Sequence, residues 1–573
     1  MRTARPFRPA PTLALMLTLS TLAAPAAPVP TPEQLAWQRM ELTMFCHFGM
    51  NTFTDREWGD GREDPKRFNP TDLDCRQWAQ AAKAGGFKLM ILTAKHHDGF
   101  CLWPSKVTDH SVKQSPWKNG QGDVFREFVD ACRAEGLKVG VYLSPWDRNA
   151  SVYGTEAYND FFCAQLTELL TGYGQIDEVW FDGACGEGPN GKKQVYDWTR
   201  TYALIRKLQP KALIAIMGPD IRWVGNESGV ARVGESSVRK ANEHQQDRAV
   251  DGLAWHPAEC DVSIRPGWFY HAGQDRQVKS IEHLMNIYFQ SVGRNSVLLL
   301  NVPPDQRGRF ADPDVARLKE FGETVRGLYA RKVAEGRVDE GTEGRQRQDQ
   351  SSIRPIVQPS HPFNLINIQE DITLGERVQA YRLEGRFGAD WRTLARGTVI
   401  GSRNLHKLGT VAPEEVRLVI EQASAPPRVA FSLHEAPPIG DWGSGSLTAH
   451  KPAEASNVHP GGTEYGGDKA VDDDARTRWA TADDTRECWL EIDLLKEERI
   501  GKLTLSELQP RISRFQIEYR SRADQPWQVA HAGTTAGTNF KTAFPPVTAR
   551  HVRLHILEAT FAPSIWEFGL HAP

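Results

Sequence analysis

Between residues 40 and 330, short apolar runs alternate with stretches of helical period, and this alternation constrains the fold more than any other feature. The runs Leu42 to Phe48, Lys88 to His97, Leu137 to Pro145 and Ile176 to Asp182 lead into helical patterns at Asp74–Ala84, Asp123–Glu135, Tyr158–Gly172 and Gln194–Leu208. Three more runs follow: Ala212–Gly218, Ala231–Glu235 and Ala258–Ile264. A helix over Ser280–Val292, a run at Ser296–Val302 and a last helix from Asp312 complete the pattern. Eight candidate strands in repeated β–α units predict an α/β protein with a (β/α)8-like barrel over residues 35–345. An open doubly wound sheet is the fallback. No Gly-rich phosphate loop opens a helix, so the nucleotide-binding form of that fallback has little support.

After about residue 345 the pattern becomes short alternating runs broken by Gly, Pro and Asn, with almost no helix. Such patterning predicts β-sandwiches. Here the chain repeats itself. Trp391, Gly397 and Thr398 recur as Trp527, Gly533 and Thr534, and Val416-Arg417-Leu418 recurs as Val552-Arg553-Leu554. Each pair is separated by 136 residues (391 to 527, 416 to 552), as are Pro427 and Pro563. Two sandwich modules are expected, at 346–436 and 447–573, joined by the Pro/Gly/Ser-rich segment Pro437–Ser446.

The amino end reads as an export signal over residues 1–26. Arg2, Arg5 and Arg8 precede an apolar stretch from Leu13 to Leu22, too short to span a bilayer, and Ala24-Pro25-Ala26 fits a cleavage site. No later stretch approaches a membrane span, so an exported protein, periplasmic or extracellular, is expected; an uncleaved N-terminal anchor is the alternative. The eight cysteines show no zinc spacing and lie mostly in apolar runs, which predicts buried free thiols. With 69 Lys+Arg against 72 Asp+Glu, no basic face for nucleic acid dominates. Seventeen Trp against 12 Tyr is a surplus suited to cores and to stacking on sugar rings.

In a parallel barrel, chemistry sits at the C-terminal strand ends. Those ends read Cys46-His47-Phe48-Gly49, Lys95-His96-His97-Asp98-Gly99-Phe100, Tyr142-Leu143-Ser144-Pro145-Trp146 and Trp180-Phe181-Asp182-Gly183, with Gly218 to Glu227 after the fifth run. Asp182 closes a buried strand, where an ionised carboxylate is costly without partners or work. Glu227 lies in a polar loop after the fifth run and is within reach of the same cavity on this reading. Two carboxylates facing across a sugar-sized space are the minimal equipment for glycoside hydrolysis; a loop cap for Asp182 and a solvated loop for Glu227 are the plain readings. Trp58, Trp180, Trp223 and Trp268 fall in or near these top-face loops. Adjacent His96 and His97 point to opposite faces of a regular strand, so hydrogen bonding to substrate is preferred over metal binding.

Together Cys46-His47-Phe48-Gly49, Glu57-Trp58, Lys95 to Phe100, Trp180-Phe181-Asp182-Gly183 and Leu298-Leu299-Leu300-Asn301-Val302 resemble glycoside hydrolase family 29, the α-L-fucosidases, over roughly residues 35–335. The resemblance implies a retaining enzyme on a barrel, with Asp182 as nucleophile. Gly218-Pro219-Asp220-Ile221-Arg222-Trp223 and the residues to Glu227 resemble the subgroup selective for α-1,3/1,4-linked fucose in branched glycans. In that subgroup the acid/base is a Glu of this segment, here Glu227, with Glu57, Glu235 and Glu259 in reserve. The resemblance also implies a fucose pocket lined by His47, Glu57, Trp58, His96, His97, Tyr142 and Trp180. No cofactor is needed for catalysis.

In the tail, Asp472-Asp473-Asp474, Arg476-Thr477-Arg478-Trp479 and Trp489-Leu490-Glu491-Ile492-Asp493-Leu494 resemble the discoidin, or coagulation factor 5/8 C-type, fold. A structural calcium is common in such folds, and the resemblance offers Asp472, Asp474 and Glu567 as ligands; a solvated acidic turn is the competing reading. Trp479 and Trp489 are read as core. The expected partner is a fucosylated oligosaccharide or glycoconjugate. An inactive glycan-binding protein and a retaining hydrolase of another deoxy or galacto-configured sugar are the alternatives.

Overall fold

The computed structural model describes residues 27–338, 355–439, 446–449, 451–472, 477–538 and 540–573. The expected export signal, Asp474 and most of the segment joining the sandwiches lie outside these residues.

Eight parallel strands form one sheet: β1 (Leu42–Cys46), β2 (Leu89–Lys95), β3 (Lys138–Leu143), β4 (Glu178–Phe181), β5 (Leu213–Ile216), β6 (Arg222–Trp223), β7 (Ala258–Ser263) and β8 (Val297–Asn301). Their order is β5-β4-β3-β2-β1-β8-β7-β6. The sheet curls into a nearly closed barrel. Between β5 and β6 the edges meet through bonds from the Asp220 and Ile221 amides to the Ile214 carbonyl, both 3.3 Å, rather than through a ladder. Strands β1, β2 and β4 are buried along their whole length, as parallel strands covered on both faces must be.

Besides the single turn Met50–Thr54, six helices follow strands among the described residues: α2 (Cys75–Ala84), α3 (Val124–Ala134), α4 (Ala157–Gly172), α5 (Trp198–Leu208), α6 (Ile281–Ser291) and α7 (Asp312–Ala330). A seventh, α1 (Pro32–Gln38), precedes the barrel and sends Trp37 inward to Glu178 of β4. Asp74, Asp123, Asp197 and Ser280 cap α2, α3, α5 and α6 by accepting the amide three residues on. Each such cap contributes about 1 kcal/mol and stops the helix from running back into the loop that carries the chemistry. The Asp197 cap is why α5 begins at Trp198 rather than at Gln194.

The sequence reading of Ala231–Glu235 as a strand is overturned. These residues form a turn with Gly234 at φ +68° and Val233 exposed, while Glu235 points in and is clamped by Arg222 and Arg239. The sixth strand is instead the two-residue Arg222–Trp223, paired with Ala258 and Glu259 of β7. No α-helix joins β5 to β6 or β6 to β7 among the described residues; an antiparallel pair, Val238–Lys240 with Leu253–Trp255, and a 3-10 turn at Gln246–Arg248 fill that side.

The barrel's last helix ends at Ala330. Strand Lys332–Val338 then pairs with Val429–His434, so it is part of the first sandwich, whose two four-stranded antiparallel sheets enclose their own core. Arg403 ties this sandwich to the barrel through Glu41 at 2.6 Å and lies 5.0 Å over the Tyr329 ring. The second sandwich is built on two long strands, Cys488–Glu507 and Phe540–Ala559. The repeat seen in sequence is a repeat of contacts. Arg417 lies over Trp391 at 3.9 Å and bonds Glu384 at 2.5 Å; Arg553 lies over Trp527 at 4.5 Å and bonds Glu518 at 2.6 Å.

Candidate active site

The inward faces of β4 and β7 carry acids at alternate positions, as a period of two dictates. On β4 these are Glu178 and, past the inward Trp180, Asp182 just beyond the strand; on β7 they are Glu259 and Asp261, followed by Ser263. The lower pair lies inside the barrel core, with Glu178 accepting the Trp37 indole at 2.9 Å and Glu259 accepting the Trp180 indole at 2.8 Å. Burial first, then mutual repulsion, lifts Glu259 far above the usual carboxylate range; burial lifts Glu178 to about 8. Glu259, a reserve candidate for acid/base, thus sits below the pocket rather than at its mouth.

Asp182 stands at the pocket floor, 28% exposed. Its Oδ2 accepts the Tyr142 hydroxyl at 2.9 Å and lies 3.7 Å from His97 Nε2, and its Oδ1 accepts the Ala184 amide at 2.8 Å. Tyr142 stacks on Trp180 with ring centroids 5.2 Å apart, so the same wall that lines the pocket aims the carboxylate.

The three histidines surround this floor. Asn301 of β8 donates its amide hydrogens to Ser263 and to the Trp268 carbonyl, which leaves its oxygen to accept from His47 Nδ1 at 2.9 Å. His47 therefore presents an acceptor at Nε2. His96 Nδ1 accepts from Asn51 at 3.2 Å, so its Nε2 carries the hydrogen. His97 Nδ1 meets the Ser144 hydroxyl at 2.7 Å. Burial drives His47 down to about 3 and His97 to about 4, the latter against the pull of Asp182, and it lowers His96 as well. All three rings are neutral near pH 7 and offer hydrogen-bond donors and acceptors rather than charge.

Glu57 is tied to the loop after β7. It accepts the Trp268 amide at 2.7 Å, the Phe269 amide at 3.3 Å and His271 Nε2 at 2.7 Å. Trp268 lies 5.1 Å from His47, centroid to centroid, and Trp58 packs edge-on against His97 and Trp146. The structure thus brings His47, Glu57, Trp58, His96, His97, Tyr142, Trp180, Asp182 and Trp268 to one end of the barrel.

Glu227 is exposed in the loop after β6. Asp261, absent from the sequence reading, feels both carboxylates: burial first, then the Glu227 and Asp182 charges, push it up to about 7. Asp261 also accepts the Trp223 indole at 2.7 Å. Glu235 is held in ion pairs with Arg222 and Arg239. Asp261, His271 and Asn301 were missed as site residues. The alternation Glu259, Asp261, Ser263 in an otherwise apolar strand was the signal for the first, and Asn301, the polar residue closing the apolar run Leu298-Leu299-Leu300, carried one too; His271 carries none locally.

All eight cysteines are free, and seven are buried, Cys185 being the exposed one. In the second sandwich Trp479 is fully buried, whereas Trp489 is half-buried beneath Arg553. Asp472 accepts the Thr477 hydroxyl and lies 3.7 Å from the Lys469 ammonium, and Glu567 pairs across the sheet with Ser506. Asp474, the third residue offered for calcium, lies outside the described residues. Among the described residues, no group of three His, Cys, Asp or Glu side chains is arranged to hold a metal, and no helix is long and apolar enough to cross a membrane.

Comparison with known proteins follows this geometry. Residues 29–327 match the family model described as alpha-L-fucosidase, and residues 452–568 match the F5/8 type C domain. A putative alpha-L-fucosidase 1 of rice (Oryza sativa subsp. japonica) is 44% identical over 443 residues, 71% of this chain and 85% of that protein. Alpha-L-fucosidase 1 of Arabidopsis thaliana is 40% identical over 450 residues, 71% of this chain and 87% of that protein. The crystal structure of a putative alpha-L-fucosidase from Bacteroides ovatus superposes with a TM-score of 0.66 at 40% identity, covering 95% of this chain and 96% of that one.

Proposed function

Since the chain belongs to the alpha-L-fucosidase family, glycoside hydrolase family 29, we propose that it is an exported, retaining exo-enzyme that frees fucose from α-1,3/1,4-linked branched glycans. The observation that carries the mechanism is the setting of Asp182, partly exposed at the end of β4 and aimed by the Tyr142 hydroxyl and the Ala184 amide. Glu227 comes from the loop after β6, exposed on the same rim of strand ends.

In this reading Asp182 attacks the anomeric carbon as the bond to the glycosidic oxygen breaks, and Glu227 protonates that oxygen. The fucosyl ester on Asp182 is then opened by a water that gives its proton to Glu227, restoring both groups and releasing fucose with its configuration retained. His47, His96 and His97, all neutral, meet the fucose hydroxyls, and Glu57, Trp58, Tyr142, Trp180 and Trp268 shape the pocket. The two carboxylates supply the chemistry without a cofactor.

Asp182→Ala should abolish hydrolysis of an aryl α-fucoside, and near-normal turnover would remove the nucleophile assignment. Glu227→Ala should be slow on glycans and be rescued by azide on a substrate with a good leaving group. Linkage choice is supported by the Gly218 to Glu227 segment and is tested by fucose release: a Lewis-type trisaccharide should be cleaved and 2′-linked fucosyllactose left largely intact. Export rests on residues 1–26; Edman sequencing of the mature protein should begin just after Ala26. For the acidic turn of the second sandwich, a chelator that leaves Tm unchanged would retire calcium from Asp472, Asp474 and Glu567.

A further inference from the structure

Few large apolar side chains are exposed on the barrel, and three of them stand at its mouth: Trp58, Met217 and Trp223. Trp58 belongs to the pocket already described. Met217 and Trp223 do not. Met217 follows β5, and its sulfur lies 3.5 Å from where a side chain on Gly183, beside the nucleophile, would begin. Trp223 is the last residue of β6, on the neighbouring barrel position, four residues before Glu227.

Trp223 is 40% exposed, yet its indole N–H does not turn to water. It donates at 2.7 Å to Asp261, a carboxylate that is itself 5% exposed. Keeping an acid buried is expensive. What that acid secures is one donor from one ring. With its N–H held inward, the indole leaves no donor to water at the surface, only ring carbon. Asp261 is thereby spent on the orientation of an exposed aromatic ring at the mouth of the pocket, on the side from which Glu227 must reach the leaving oxygen.

We propose that Trp223 and Met217 form the platform for the leaving-group saccharide, and that Asp261 is a positioning residue that holds the Trp223 indole in place for it. A pyranose offers a flat apolar CH face suited to such a surface, whereas its hydroxyls remain in water. The platform acts on binding of the leaving group and not on the reacting atoms. The inference rests on reading Asp182 and Glu227 as the catalytic pair, because that pair defines which side of the pocket the leaving group occupies.

The test compares two substrates of the full-length enzyme: a branched fucosylated trisaccharide, and α-fucosyl fluoride, whose leaving group is one atom and cannot touch the platform. Trp223→Ala should raise KM for the trisaccharide about tenfold, with KM and kcat for the fluoride within about twofold of the parent, and Asp261→Ala should raise the ratio of trisaccharide KM to fluoride KM by the same factor. The double variant should be no worse than either single one, since both remove the same oriented ring. Asp261→Asn, whose amide oxygen still accepts from the indole, should stay within about threefold. Equal losses on both substrates, or multiplied losses in the double variant, would overturn the proposal. Trp223→Phe keeps a ring and leaves the core untouched, so it covers the case in which Asp261→Ala fails to fold: it should show part of the trisaccharide KM effect, and unchanged KM in both Trp223 variants would overturn the platform. Should Asp182→Ala remain active, the catalytic reading fails by itself, independently of the KM pattern.

Discussion

The Tyr142 phenol donates a 2.9 Å hydrogen bond to Oδ2 of Asp182, joining the ends of two adjacent barrel strands across 40 residues of chain. The donor restrains the carboxylate and also stabilises its charge, two effects that oppose each other in the rate. A misplaced nucleophile costs on the order of a hundredfold, while a hydrogen bond to a charged group contributes about 1.5–3 kcal/mol. Tyr142→Phe keeps the stack on Trp180 and removes only the donor. A net fall of about tenfold in kcat/KM on an aryl fucoside is expected, with unchanged Tm.

Lys95 and Asp147 form an ion pair at 2.9 Å with both side chains essentially out of water, and Lys95 also donates to Gln165 at 3.0 Å. The pair pins the end of β2, from which His96 and His97 emerge. Lys95→Met leaves a buried carboxylate unpaired and should cost about 3–5 kcal/mol, read as a lower urea midpoint with unchanged slope.

His271 sits between Asp55 at 2.6 Å and Glu57 at 2.7 Å. Burial opposes its charge, but the two carboxylates outweigh it and hold the imidazole above its ordinary value. A raised value means that its stabilisation is complete below pH 6.5 and is lost as pH rises through the folded-state value. The Tm difference between the parent and His271→Ala should therefore be larger at about pH 5 than at about pH 9. Because Glu57 also anchors the Trp268 loop, KM should rise in the same variant.

Glu178 and Glu259 have the opposite consequence. Both carboxyls are lifted above the ordinary 4.5, Glu178 to about 8, so the folded state prefers them protonated. No penalty exists below pH 4.5; it grows as pH rises and levels off above the folded-state values. Glu259→Gln can still accept the Trp180 indole and carries no charge. It should be more stable than the parent in alkaline urea titrations and indistinguishable in acid.

How much of this could be read beforehand differs by feature, for a physical reason. Strand and helix periods, the change from barrel to sandwich and the Trp391/Trp527 repeat are written over short stretches, because each reflects local geometry meeting one buried face. The ends of β1 to β4 followed directly, since a parallel barrel puts every strand's C-terminus on one rim. By itself the sequence therefore determined the barrel, the sandwich pair and the placing of Asp182 at a strand end. Tertiary structure alone decided the rest. Ala231–Glu235 alternates like a strand, yet Gly234 turns it and two arginines capture Glu235, leaving Arg222–Trp223 to close the barrel. Trp223 meets Asp261 from 38 residues away, and Trp180 meets Glu259 from 79. No local pattern encodes such meetings, because the partner that makes a buried acid tolerable is supplied only when distant strands share one interior.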